Sequence, residues 1–154
     1  MTIIINILYA LFAFVSMEAV AWLSHKYIMH GLLWFLHKDH HVNRPDSTVE
    51  HNDSFFIIFA APAMVLFYFG FEDFSPAFWL AIGITAYGFA YFIIHDIFIH
   101  QRIKWLRNID SLYFRAIRRA HKIHHKHLTK EDGECFGMLW VPLKYFRNEL
   151  KNAR

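Results

Sequence analysis

Twelve of the 154 residues are histidines, the side chains with the most chemistry to offer. Ten fall into four groups: the pair His25 and His30, the triplet His37, His40 and His41, the pair His95 and His100, and the triplet His121, His124 and His125. Histidine is the commonest metal ligand. Neutral nitrogen donors suit iron, zinc or copper better than magnesium or calcium. Residues at i, i+3 and i+4 share a helical face, so each triplet can aim its rings at one point. The pairs fit a straight α-helix less well, because residues five apart differ by about 140° while lying only about 7.5 Å apart along the axis. A distorted or ending helix is needed to turn each pair toward a common centre. Ten imidazoles can serve two metals with about five each, leaving room for water or oxygen at a six-coordinate ion. His51 and His127 stand outside the pattern and are expected to play ordinary roles. Cys135 is the single cysteine, which excludes a disulfide framework and a thiolate-built metal site.

The elements that must position these rings are apolar. Hydrophobic residues make up 56% of the chain and charged residues 19%, which excludes a disordered protein. Three runs, Ile3–Leu23, Ser54–Phe71 and Ala77–Ile94, contain 18 of 21, 15 of 18 and 15 of 18 apolar residues and no Lys or Arg. Each reaches the roughly 17–25 residues that a membrane span needs. The expected fold is an all-α integral membrane protein of about three transmembrane helices, a single domain over residues 1–154. Asp53 or Ser54 is expected to cap the second span, Pro76 to open the third, and Pro62 to kink the second. Phe136–Phe146 reads as an interfacial segment.

Charge sets the expected orientation. Lys26, Lys38 and Arg44 follow the first span, and the other 13 of 16 basic residues lie from Arg102 onward. The positive-inside rule then places 24–53 and 101–154 in the cytoplasm, with the N-terminus and the acidic turn near Glu72 and Asp73 on the far side. Each pair begins within two residues of a span's cytoplasmic end, so all ten histidines are expected at one depth. Residues 101–154 carry a net charge of +8, suited to anionic membrane lipid or an acidic protein partner. Nucleic acid is a poor fit, because the basic residues are interleaved with histidines beside a membrane.

Three carboxylates are candidates to orient the ligands. Metal-bound histidines usually donate their second ring nitrogen to a carboxylate or carbonyl. Glu18 is the one charged residue inside the first span, where an unpaired carboxylate is costly. It is expected to meet a histidine from another helix or to line the passage to the metals. Asp96, beside His95, and Asp39, beside His40, are the others.

The flanking residues add a resemblance. Met17–Glu18–Ala19, the run His25 to Gly31, Trp34, the first triplet, Pro45, Glu50 and Asn52–Asp53 resemble the first half of the carotenoid hydroxylases. These belong to the membrane-bound histidine-rich di-iron family, together with fatty-acid hydroxylases and sterol oxidases. Tyr87–Gly88, Tyr91, His95–Asp96, His100, Arg102, Ala120–His121, His124–His125, Phe136–Gly137 and Pro142 continue it over nearly the whole chain. The resemblance implies oxygen-dependent 3-hydroxylation of the beta-ionone rings of beta-carotene, via beta-cryptoxanthin, to zeaxanthin in the bacterial inner membrane. It implies that His25, His30, His37, His40, His41, His95, His100, His121, His124 and His125 hold two Fe ions, which Zn can replace in preparations. It also implies O2 as co-substrate and an external reductant, ferredoxin or a similar donor. The chain offers no flavin or nicotinamide site of its own, having no Gly-rich turn after a strand. The histidine pattern alone leaves open a carotenoid ketolase, a fatty-acid or sterol hydroxylase, a zinc or copper transporter and a bis-histidine haem protein. A transporter should place its ligands at mid-membrane, and haem would use only two rings.

Overall fold

The computed structural model describes residues 2–42 and 49–152. Arg44, Pro45 and Arg154, used in the sequence reading, lie outside the described residues. The described residues are helical or irregular, with no strand among them. Helix α1 spans Thr2–Leu23 and passes into a π-helical segment, Ser24–Leu32, which breaks at Gly31. Helix α2 covers Trp34–His41. A short 3-10 turn, His51–Asp53, leads into α3, Ser54–Gly70. Helix α4, Pro76–Phe92, continues as a second π-helical segment, Ile93–Ile99. Helices α5, Leu112–His124, and α6, Leu143–Asn152, complete the chain.

Three of these helical stretches, Thr2–Leu32, His51–Gly70 and Pro76–Ile99, are long and apolar enough to cross a membrane. Helices suit that role because every backbone polar group is satisfied within the segment. Large apolar side chains such as Phe12, Val15, Phe56, Ile57 and Phe69 point outward, more than a water-facing surface tolerates. Helix α4 packs against both α1 and α3. Pro76 occupies its first turn, as expected, where a missing N–H costs nothing. The expected cap on α3 is not made. Asp53 Oδ2 instead accepts from the Glu50 amide at 3.0 Å, closing the turn that runs directly into the helix.

Helix α5 is amphipathic, and Ser111 Oγ accepts from the Phe114 amide at its start. Its buried face, Ala116, Ile117 and Ala120, joins Phe98, Met138, Val141 and Tyr145 in a small core at the end of α4. The segment Glu134–Val141 is an irregular strap with bends at 137–139, and Leu143–Asn152 after it is helical. Met138 and Val141 are buried in the strap while Trp140 is 79% exposed.

Close helix contact fixes the frame of the site. A Cβ added at Gly83 would lie 2.2 Å from the Ala10 carbonyl oxygen and 2.8 Å from Ala13 Cβ. Gly83→Val should therefore force α1 and α4 apart and cost about 1–3 kcal/mol, the range of overpacked cores. Thermal unfolding in detergent measures this, and an unchanged midpoint would show that the contact does not hold the frame.

Candidate metal centre

The π-helical segments resolve the awkward spacing of the pairs. A π turn closes its hydrogen bond five residues along, so residues five apart stack on one face. The amide of His100 donates to the carbonyl of His95 at 2.9 Å, and that of Leu33 to Ile28 at 2.7 Å. The His25 and His30 rings come to 5.2 Å between centroids, and those of His95 and His100 to 4.5 Å. The triplets use ordinary helix geometry on α2 and at the end of α5.

Nine of the ten histidines gather into two groups. One holds His25, His30, His37, His41 and His124; the other holds His40, His95, His100 and His121. His125 adjoins the second, its Nε2 lying 2.8 Å from His121 Nε2, and its ring stacks on His41 at 4.4 Å. His51 is on the outside, where its ring pairs with Asp39 at 2.9 Å.

Hydrogen bonding decides which nitrogen faces inward. His25 Nδ1 donates to the Phe136 carbonyl at 2.9 Å, His30 Nδ1 to Leu128 at 3.1 Å, and His124 Nδ1 to Glu134 at 3.0 Å. His37 Nδ1 donates to Asn52 Oδ1 at 2.7 Å. These oxygens only accept, so the ring proton sits on Nδ1 and Nε2 carries a lone pair. Yet His25 Nε2 lies 3.0 Å from His37 Nε2, and His30 Nε2 lies 3.2 Å from His124 Nε2. Two lone pairs at that distance repel. Protonating the rings would relieve them, but burial opposes it. Desolvation pushes His37 down to about 3, His124 to about 2 and His125 to about 4. It also holds His40, His41, His100 and His121 below the ordinary histidine range. Among the described residues, His40 Nε2 is buried with no hydrogen-bond partner. One cation in each group satisfies these atoms, so the residues present fit a metal in each.

The three candidate carboxylates fare differently. Asp96 Oδ2 accepts from His95 Nδ1 at 3.1 Å. Asp39 is corrected: its Oδ2 accepts from the amide and ring of His51, which lies outside both groups. Glu18 is corrected too, for it meets no ring of either group. Its carboxylate accepts from the Tyr87 hydroxyl at 2.7 Å and from the amides of Met138, Leu139 and Trp140 at 2.8–3.0 Å. A Cβ at Gly137 would lie 2.6 Å from Glu18 Oε1, so this approach needs the glycine. Glu18 thus fastens the strap whose Phe136 carbonyl holds His25. The reason it reaches so far is that the strap comes to the helix, which helical spacing along α1 does not reveal.

Sequence reasoning named no role for Glu50, Asn52 or Arg102. Glu50 Oε2 accepts from His40 Nδ1 at 2.9 Å. Arg102 binds Glu50 at 2.8 Å, Asp53 at 2.8 Å and Asp96 at 3.2 Å. The available signal was a cluster of polar residues at the mouths of apolar runs, close in sequence to the triplet and the second pair.

Glu18→Gln should loosen the strap. The amide keeps one acceptor oxygen and turns a donor toward backbone N–H groups, leaving buried donors unsatisfied at about 1–3 kcal/mol each. The expected result is a lower melting point and faster protease cleavage within 133–142, and wild-type values in both would reduce Glu18 to a packing residue.

The chain matches the fatty acid hydroxylase family over residues 10–144. It is 38% identical over 137 residues to the beta-carotene hydroxylase of Pantoea ananas, covering 89% of this chain and 78% of that protein. It is 38% identical over 139 residues to the beta-carotene hydroxylase of Paracoccus sp. (strain PC1), covering 89% and 85%. The chloroplastic beta-carotene 3-hydroxylase of Gentiana lutea is 37% identical over 134 residues, covering 84% of this chain and 41% of that longer protein. No solved structure matches the chain. With its histidines gathered at one end of three apolar helices and its sequence matched from residue 10 to residue 144, the chain belongs to the fatty acid hydroxylase family.

Proposed function

We propose that the chain is a beta-carotene 3-hydroxylase of carotenoid biosynthesis, a di-iron monooxygenase that converts beta-carotene, via beta-cryptoxanthin, to zeaxanthin. The observation that carries this reading is the pair of converging histidine groups at one end of three apolar helices, in a chain whose relatives are named beta-carotene hydroxylases. We assign all ten clustered histidines as ligands of two iron ions. Five pairs of Nε2 atoms lie 2.8–3.2 Å apart, close enough for the two rings of each pair to share one ion.

A ring C–H bond needs an oxidant stronger than any side chain, and bound iron would supply it by activating dioxygen. One oxygen atom enters the C–H bond and the other leaves as water, consuming two electrons and two protons. The chain's own part is to hold the rings in place and keep the site at a depth where a bilayer-dissolved polyene can present one end. The electrons come from an external donor, ferredoxin or a similar acidic protein. Arg115, Arg118, Arg119, Lys122 and Lys126 of α5 and its C-terminal extension line a groove of about 410 Å³. This basic ridge is centred about 120° around the helix from His121, His124 and His125, on a helix only about 10–12 Å thick. A donor docked there would stand one helix away from the rings.

Expression in a bacterial host that accumulates beta-carotene should yield beta-cryptoxanthin and zeaxanthin. His40→Ala and His124→Ala should abolish both pigments while the protein still inserts. The purified protein should hold about two metals per chain. Unchanged carotene with the intact protein, or full conversion by either variant, rejects the assignment. In membranes, Lys122→Glu should slow turnover with reduced ferredoxin, most clearly at low salt.

The same reading places the protein in the bacterial inner membrane with both basic regions and the histidines in the cytoplasm and the N-terminus opposite. Reporters fused after Arg44 and Arg154 should both read cytoplasmic, and one within the Phe71–Ser75 turn should read the far side. A cytoplasmic signal from that turn would instead make α3 and α4 a re-entrant hairpin.

A further inference from the structure

We propose that the two histidine groups are unequal, and that the group of His40, His95, His100 and His121 binds its metal first and more tightly because carboxylates, rather than neutral oxygens, stand behind its rings. This rests on the metal-binding reading above and adds an order to it.

The number of donors does not separate the groups. The first has five rings, and the second has four with His125 adjoining. What differs is the chemistry of the acceptors that stand behind Nδ1 atoms, on four rings of the first group and two of the second. In the first group the acceptors are three backbone carbonyls, of Phe136, Leu128 and Glu134, and the Asn52 side-chain amide. All four are neutral. In the second group His40 donates to the Glu50 carboxylate and His95 to the Asp96 carboxylate. Hydrogen bonds to an ionised acceptor are about twice as strong as neutral ones. They draw the Nδ1 proton outward and make Nε2 a better donor to a metal.

Net charge acts in the same direction. Arg102 gathers Glu50, Asp53 and Asp96, so three carboxylates face one guanidinium and two negative charges remain beside the second group. On the first side Lys26 Nζ lies 5.7 Å from the centre of the Phe136 ring, which itself packs on His25, His30 and His124. Glu18 is also on that side, but its charge is shared among three amides and the Tyr87 hydroxyl. A divalent cation is therefore drawn more strongly to the second group.

The test is titration of the full-length protein in detergent, stripped of metal under reducing conditions, with Co2+ as the probe, read by calorimetry and by the visible absorption of bound cobalt. The wild type should bind in two steps of unequal affinity. Glu50→Gln and Asp96→Asn should each weaken the tight step by about 10–100-fold, the usual effect of losing such a partner, and leave the weak step in place. His95→Ala should remove the tight step and His25→Ala the weak one. Asn52→Asp puts a carboxylate behind His37 and should tighten the weak step about tenfold, a gain that misfolding cannot mimic. Equal steps in the wild type, loss of the tight step in His25→Ala, or no tightening in Asn52→Asp would overturn the inequality. Absence of any cobalt binding would instead overturn the metal-binding reading itself.

Discussion

A neutral imidazole has two nitrogens and one proton, and in this protein the proton is drawn outward. The Nδ1 atoms of His25, His30, His37 and His124 face oxygens that can only accept, so their Nε2 lone pairs face one another about 3 Å apart. Burial closes the escape of protonation, holding His37 near 3 and His124 near 2. Without a cation the centre is repulsive, and with one the same geometry becomes attractive. Because the converged rings do not exist in an unfolded chain, the free energy of binding a metal adds to folding. Much of the rest of the architecture serves to put an oxygen behind six of the ten rings, those of His25, His30, His37, His40, His95 and His124.

Those oxygens come from segments far apart in the chain. The stretch from Leu128 to Phe136 contributes three carbonyls. Cys135, between Glu134 and Phe136, sits in the left-handed region at φ 59°, a conformation that costs energy for any residue with a Cβ. That strain needs something to hold it, and Glu18 supplies the hold by taking the amides of residues 138–140. Irregular backbone of this kind is excluded from the lipid-exposed core of a bilayer. The centre therefore belongs at the ends of the spans, where a turn such as His51–Asp53 can bring Glu50 and Asn52 to the triplet.

Much of this was legible in the sequence. Three apolar runs predicted three spans, and the structure has helices of suitable length over each. The i, i+3, i+4 spacing was expected to aim each triplet at one point, and this is corrected: α2 and α5 turn their rings toward the centre but divide each triplet between the two groups. The five-residue pairs demanded a distortion, and the π-helical segments supply it, but nothing in a pair of histidines says which distortion. The acceptors behind the rings were mostly illegible. Three are backbone carbonyls, which every residue has, and their identity depends on where an irregular strap passes. Glu18 showed why a carboxylate in a span needs a partner but not that backbone amides would be that partner. Asp39 shows the opposite failure, since adjacency to His40 in sequence puts it on another side of α2, toward His51.

The order pair, triplet, pair, triplet invites a division in which each half of the chain builds one metal site. The structure does not divide that way. The first group takes the first pair and His37 and His41, but also His124 from the second triplet. The second group takes the second pair and His121, but also His40 from the first triplet. The cause is helical: on α2 the rings at positions 37 and 41 are one turn apart, whereas 40 is offset, and the same offset separates 121 from 124 on α5. Each triplet therefore straddles the two groups, and His41 stacks on His125 where they meet. Neither half can complete a group alone, so removing either α2 or α5 would leave both incomplete. Crossing the triplets couples the two halves of the chain, and it makes α2 and α5, two of the short helices outside the spans, the elements on which both groups depend.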